Sequence, residues 1–251
     1  MSHAVALRRI FPDGAAVAPE QAIDRLGFAE RASELRPYVV ANFVATADGR
    51  ATLGGRSGPI GDEIDRRLFH LLRSEVDAVL VGAGTLRVER YGRLVPDPAL
   101  RERRVRNGLA AEPLACVVSG RLELPEDLPL FADPNSRVVI FTSSSEQLAV
   151  GPADVTIVHL EDFSLERVLR ELRQRHGVRS LLCEGGPTLF GGLLDERLVD
   201  ELFLSISPKL AGGGDAPTIS AGHELANPCD LELVTAHEGA GALYLRYRLT
   251  G

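Results

Sequence analysis

VLVGAGTLR (Val79–Arg87) and LLCEGGPTLFGG (Leu181–Gly192) read alike: an apolar strand runs into glycines, and a helix starts at once. Ligands of open α/β sheets bind beyond the carboxyl ends of the strands. Glycine lets a phosphate approach the backbone, and the first turn of a helix offers free N–H donors. Pro187 suits a first helical turn, where it removes no hydrogen bond. Two such turns, each followed by a threonine, point to a phosphate-bearing ligand held between them. Neither is a dinucleotide fingerprint of the G-x-G-x-x-G type, because Arg87 stands where the third glycine belongs. Neither is a P-loop, because no GK[ST] follows.

Outward from these turns, apolar runs alternate with amphipathic stretches. Strands are expected at Tyr38–Val44, Ala78–Gly82, Leu114–Ser119, Val138–Thr142, Val155–Leu160 and Ser180–Gly185. Helices are expected at Glu63–Glu75, with Asp62 as N-cap and Ile64, Leu68, Leu71 and Leu72 on one face, and at Thr85–Arg90. Further helices are expected at Leu165–Arg175, between Ser164 and Gly177, and at Thr188–Glu196. After Pro208 helical patterning ceases. Leu202–Pro208, Leu231–Glu238 and Ala242–Leu249 read as strands, the last two joined as a hairpin around Gly239–Gly241. The fold class is α/β: a mixed, mostly parallel sheet flanked by helices, with a C-terminal antiparallel hairpin. Residues 1–36 read as an irregular N-terminal extension containing a helical stretch from Gln21 to Leu35. Residues 37–251 form the main domain. The polar, arginine-rich stretch Val95–Asn107 reads as a mobile loop over a site.

The 251 residues carry a net charge of −7 and no Trp. The acidic balance disfavours a general nucleic-acid binder. Three cysteines without CxxC or Cys/His spacing argue against a disulfide framework or zinc, and the six scattered histidines offer no metal-ligand pairing. Residues 1–20 show no secretory pattern and no apolar run reaches membrane-spanning length, so a cytoplasmic protein is expected.

A further candidate loop is FVATADGRATLGGRSGP (Phe43–Pro59), where a strand meets the turn pair Asp48–Gly49 and then a glycine-rich segment with Arg50, Arg56 and Ser57.

TADGR (Thr46–Arg50), RSG (Arg56–Gly58), LLRSEVDAVLVGAGT (Leu71–Thr85) and EGGPTLFGGLLDERLVDELFLSISPKLAGG (Glu184–Gly213) together resemble the reductase domain of riboflavin biosynthesis, from about Pro37 to the C-terminus. The resemblance implies a dihydrofolate-reductase-like fold and NADPH-dependent reduction of a ribosylaminopyrimidine 5′-phosphate to its ribitylamino form. It implies a reductase without a deaminase domain, since no HxE…PCxxC signature occurs. It implies a homodimer as well. By the same resemblance Ala45, Gly82, Gly84, Thr85 and Glu89 line the cofactor, with Ser119 at its adenosine end and Arg121 as an alternative there. Gly185, Gly186, Pro187, Thr188 and Leu189 form the second cofactor cradle. Ser57 and Arg73 hold substrate, Glu184 contacts it, and Asp48 orients the opened sugar or helps to deliver a proton.

Two departures bear on the pocket. Pro59 stands where the family often has Trp, and RVERYGRLVPDPALRERR (Arg87–Arg104) replaces the family's Asp–Asp/Asn–Pro–x–Leu–Thr–x–Arg run; Glu89 fits its first acid, and its arginine maps to Arg93, Arg101 or Arg104. A dihydrofolate-type pterin reductase and a non-catalytic nucleotide-binding protein on the same fold stay open as alternatives.

Overall fold

The computed structural model describes residues 6–250. In chain order its elements are β1 (Leu7–Phe11), β2 (Ala16–Val17), α1 (Pro19–Ala22), β3 (Tyr38–Thr46), α2 (Glu63–Ser74), β4 (Ala78–Gly82), α3 (Ala83–Glu89), α4 (Pro98–Arg106) and β5 (Leu114–Val118). They continue as α5 (Pro129–Ala132), β6 (Arg137–Thr142), β7 (Asp154–His159), α6 (Leu165–Arg175), β8 (Ser180–Cys183), α7 (Pro187–Asp195), β9 (Glu201–Ser207), β10 (Asp230–Gly239) and β11 (Ala242–Thr250).

The strands form one sheet in the order β2-β1-β10-β11-β9-β3-β8-β4-β5-β6-β7. From β9 to β7 every pairing is parallel, whereas β9-β11-β10-β1-β2 is antiparallel. The mixed α/β fold expected from the alternation of strands and helices is therefore present, with antiparallel strands at one end. The hairpin is also present: Gly239 pairs with Ala242, and Ala240 and Gly241 take left-handed φ values of 52° and 80°, the backbone a two-residue turn needs.

Side chains of β3 alternate between faces, as a pleated strand requires. Val40 joins the apolar layer under α2, with Ile64, Leu68, Leu71 and Leu72. Val39, Ala41 and Phe43 join the opposite layer under α6 and α7, with Leu169, Leu172, Phe190 and Leu193. Both layers are mostly aliphatic, with phenylalanines and Tyr244 as their largest members, the solution open to a chain without Trp. The expected caps are in place: the Asp62 carboxylate accepts from the Asp65 amide at 2.8 Å, and the Ser164 hydroxyl accepts from the Arg167 amide at 3.2 Å. Cys116 and Cys183 are buried free thiols, and burial pushes the Cys183 thiol up to about 12.

Three expectations are corrected. The N-terminal segment is not irregular: β1 pairs with β10, and Leu7 is 1% exposed. The helix expected over Gln21–Leu35 is reduced to the four residues of α1 and a 3₁₀ turn at Ala29–Arg31, because Arg25 and Gly27 adopt left-handed backbone between them. Val95–Asn107 is not a loop over a site. It folds as α4, capped by Asp97, with Pro98 at its start. The segment packs against α2 through Arg104, which is fully buried and donates to the carbonyls of Arg73, Val76 and Ala110. An arginine-rich stretch is held here because the Arg104 guanidinium donates to carbonyls at the end of α2 that have no partner within that helix.

Candidate active site

β4 and β8 are adjacent and parallel, so the two glycine turns that follow them emerge side by side. They touch: the Gly82 amide donates to the Gly185 carbonyl at 2.8 Å. The space is made by missing side chains. A Cβ on Gly186 would lie 2.9 Å from the Thr85 hydroxyl, and one on Gly185, at φ 102°, would meet the Phe43 ring at 3.2 Å. Gly84 has nothing within 4 Å of a Cβ position, so its backbone is open to a ligand. α7 begins at Gly186 with Pro187 in its first turn, leaving its initial amides free.

These turns form the floor of a cleft of about 880 Å³, at the upper end of the size range of small-molecule and cofactor sites. Gly82, Gly84, Thr85, Glu89, Ser119, Gly185, Gly186, Pro187, Thr188 and Leu189 all line it, as do Ser57 and Glu184. At one end, beyond β5, the lining is Ser119, Gly120, Arg121 and, from α3, Arg87. At the other end lie Asn42 of β3, Asp65 and Phe69 of α2, Ser57, and Glu184.

Three expected site residues lie elsewhere. Ala45 is a buried residue of β3 itself and does not line the cleft. Arg73 does not line it either. Its guanidinium is buried and grips the Glu184 carboxylate with two bonds of 2.6 and 2.7 Å, donates to the Leu94 carbonyl at 2.8 Å, and lies 4.1 Å over the Phe69 ring. Burial opposes the charge on Arg73, but Glu184 outweighs it and the guanidinium is held above its ordinary range. Arg73 thus fixes Glu184 and is closed to a substrate phosphate. Asp48 is outside the cleft as well. Its carboxylate accepts from the Thr46 hydroxyl and from the Ala211 and Gly212 amides, tying the turn after β3 to the segment after β9. These bonds, that of Thr46 first, hold it down at about 2, so it carries no proton to deliver near neutrality.

Ser57 and Glu89, read as ligands of substrate and of cofactor, meet one another: the Ser57 amide and hydroxyl donate to the Glu89 carboxylate at 3.1 and 3.0 Å. This clamp fastens the glycine-rich loop to α3. The arginines between which the sequence left a choice are all engaged away from the cleft. Arg93 pairs with Asp133, Arg101 donates to the Val95 and Pro96 carbonyls, and Arg104 is buried behind α2. The exposed Arg56 stands between Gly55 and Ser57, both of which line the cleft.

The sequence reading missed Asn42, Asp65, Phe69 and Arg87. Asp65 and Phe69 were within its reach: they precede Arg73, which it named, by two turns and one on the same face of α2.

Residues 37–242 match the model of the RibD C-terminal domain family. The chain is 33% identical over 205 residues to the 2,5-diamino-6-ribosylamino-4(3H)-pyrimidinone 5′-phosphate reductase of Archaeoglobus fulgidus, covering 80% of this chain and 93% of that protein. It is 31% identical over 224 residues to the protein of the same name from Methanothermobacter thermautotrophicus, covering 86% of this chain and all of the other. Among solved structures, a pyrimidine reductase-like protein of Corynebacterium diphtheriae superposes with a TM-score of 0.79, at 24% identity, over 94% of this chain and 100% of its own. The Thermotoga maritima deaminase/5-amino-6-(5-phosphoribosylamino)uracil reductase superposes with a TM-score of 0.70, at 27% identity, over 86% of this chain and 57% of its own. With a family match spanning most of its length and relatives above 30% identity, the chain belongs to the RibD C-terminal domain family.

Proposed function

We propose that this chain is an NADPH-dependent reductase that converts a ribosylaminopyrimidinone 5′-phosphate into its ribitylamino form. The single observation that carries the reading is the contact between the two glycine turns, Gly82 amide to Gly185 carbonyl, at the floor of a cleft large enough for a dinucleotide and a ring. The names of its relatives support the substrate class.

The residues fit a nicotinamide dinucleotide. The open backbone at Gly84 and the free amides at the start of α7 suit a pyrophosphate. Arg87 and Arg121, with Ser119, supply cations and a hydroxyl at one end, where a 2′-phosphate needs them. When bound, the nicotinamide supplies hydride. The protein's own groups align the acceptor. Glu184, immobilised by Arg73, accepts hydrogen bonds from ring or sugar donors, and the Ser57–Glu89 clamp closes the loop over it. Arg56, exposed between cleft-lining Gly55 and Ser57, is the cation we assign to the substrate phosphate. Among the described residues no helix is long and apolar enough to cross a membrane, in keeping with a cytoplasmic enzyme. Partly buried Leu243, Leu245 and Tyr247 on one face of β11 support pairing with a second copy, to be checked by light scattering.

The purified chain, given NADPH and either the 2,5-diamino or the deaminated ribosylaminopyrimidine phosphate, is expected to consume NADPH. Absence of turnover with both, despite folded protein and bound NADPH, would overturn the assignment. A pterin without a phosphate is a second reading, favoured by the engagement of Arg73, Arg93, Arg101 and Arg104 away from the cleft. A kcat/KM for dihydrofolate above that for both pyrimidines would put it first.

A further inference from the structure

Asp65 is a carboxyl without a role in the account so far. It lines the cleft from the first turn of α2, although the cap of that helix is provided by Asp62. Its side chain is seated over Gly61, where a Cβ would come within 2.2 Å of its Oδ2. One turn further along is Phe69, also in the cleft lining, and one turn beyond that is Arg73, which holds Glu184. Positions four apart on a helix are separated by about 5–6 Å at their Cβ atoms. Asp65, the Phe69 ring and Glu184 all line this end of the cleft, with the Arg73 guanidinium 4.1 Å from the ring. Among the described residues no lysine or arginine side chain lines this end of the cleft, where the acids are Asp65, Glu89 and Glu184. Of these, Glu184 is occupied by Arg73 and Glu89 by Ser57. Asp65, which the Ser205 hydroxyl faces, is the one of the three held neither by a buried arginine nor by the Ser57 clamp, and no described side-chain cation lies within salt-bridge distance of it.

A carboxylate presented edge-on to a ring matches two adjacent N–H donors. The 2-amino group and ring N–H of a 2-aminopyrimidin-4-one offer that pair. The deaminated ring offers N–H beside C2=O, whose lone pairs face the carboxylate. We propose that Asp65 reads the amino edge of the substrate ring, so that the cleft selects the 2-aminopyrimidinone form over the uracil-type form. This rests on the reading of the cleft as a pyrimidine reductase site.

The surroundings of Asp65 make the selection depend on pH. Burial is the first cause holding its carboxyl above the ordinary Asp range; Asp62 adds to this, while the Ser205 hydroxyl and Arg66 act against it. The Tyr244 hydroxyl faces the same group of residues and donates to Asp62. The charged form that accepts both N–H donors thus appears only as pH rises through a raised value. Binding of the amino form strengthens in that direction.

The experiment compares kcat/KM for the diamino and deaminated ribosylaminopyrimidine phosphates in the wild type and in Asp65→Asn, Asp65→Glu and Gly61→Ala, with NADPH affinity measured by its fluorescence. The wild type is expected to prefer the diamino form. Asp65→Asn, whose amide can donate to C2=O, is expected to reduce that preference about 100-fold without changing NADPH affinity. It should also abolish the acid limb of the diamino pH profile. Asp65→Glu is expected to restore part of the preference, and Gly61→Ala, which displaces the carboxyl, to lose part of it. A purely structural role in the first turn of α2 would not move the substrate ratio. An unchanged ratio in folded Asp65→Asn overturns the inference while leaving the reductase reading intact. If Asp65→Asn does not fold, calorimetric binding of 2-aminopyrimidin-4-one and uracil to the wild type decides: a pH-independent, equal affinity overturns it. A wild type that binds NADPH and reduces neither substrate removes the reductase reading, and this inference with it.

Discussion

Arg73 and Glu184 form a pair whose side chains are 7% and 1% exposed, joined by two short bonds. Removing one member of such a pair strands the other charge, at a cost of about 3–5 kcal/mol, whereas replacing both by apolar side chains costs far less. Glu184→Ala is therefore expected to lower unfolding free energy in urea by about that amount and to abolish turnover. Arg73→Met combined with Glu184→Leu should recover most of the stability and none of the activity. Equal losses in the single and double variants would contradict the pairing. Asp48 behaves differently. Held near 2 in the folded chain, below the ordinary Asp value, it contributes stability above that ordinary value which is lost as pH falls through about 2. Asp48→Asn is expected to lower thermal stability and to leave the pH profile of kcat/KM near neutrality unmoved; a shifted limb there would return Asp48 to proton transfer. The residue scale is where the sequence was least legible. Arg73 and Glu184 are 111 positions apart, and nothing in either local pattern shows that an arginine on a helix and a glutamate at a strand end neutralise one another.

The elements were more legible, because periodicity and caps are local. β4 is found at the expected Ala78–Gly82, α6 at the expected Leu165–Arg175, and α2 and α7 to within a residue. α4 was missed because its low apolar content and six-residue arginine-rich core look like a solvated loop. Its capping residue, Asp97, followed by Pro98, was the overlooked signal. Arg104 holds this helix to the end of α2 through the carbonyls of Arg73 and Val76, and donates to the Ala110 carbonyl beyond its own helix. Arg104→Ala is expected to cost about 3 kcal/mol and to make the amides of α4 exchange faster with solvent than those of α2. Unchanged exchange would show that the helix is anchored by other contacts. The glycine turns give a paired test at the same scale. Gly84→Ala meets no neighbour and adds helix propensity, so the chain should stay folded, yet its NADPH affinity is expected to fall at least about tenfold because the new methyl group occupies cofactor space. Gly186→Ala, crowding Thr85, should weaken NADPH as well. Full affinity in Gly84→Ala would place the pyrophosphate elsewhere.

At the scale of the whole molecule, the parallel half of the sheet bears the cleft and the antiparallel half carries β1 and β2 at its edge. The α/β class followed from alternating strands and helices. The sheet's extension by residues 7–17 did not, because two short strands interrupted by Pro12 and Gly14 have no clear period, and their pairing partner is more than 200 residues away. Deleting residues 1–17 uncovers the edge of β10 and buried Leu7 contacts. The shortened chain is expected to unfold at a lower temperature and to aggregate more readily, with NADPH affinity retained in the folded fraction. Loss of NADPH binding in that fraction would mean that the edge strands act on the cleft.

All scales meet in one claim: the backbone turns at Gly82–Thr85 and Gly185–Thr188 serve a single dinucleotide. A crystal structure with NADPH tests it directly. The expected result is one cofactor with its pyrophosphate within hydrogen-bond distance of amides from both turns and its 2′-phosphate beside Arg87 or Arg121. Cofactor density that touches only one turn, or lies outside the cleft, would contradict the account.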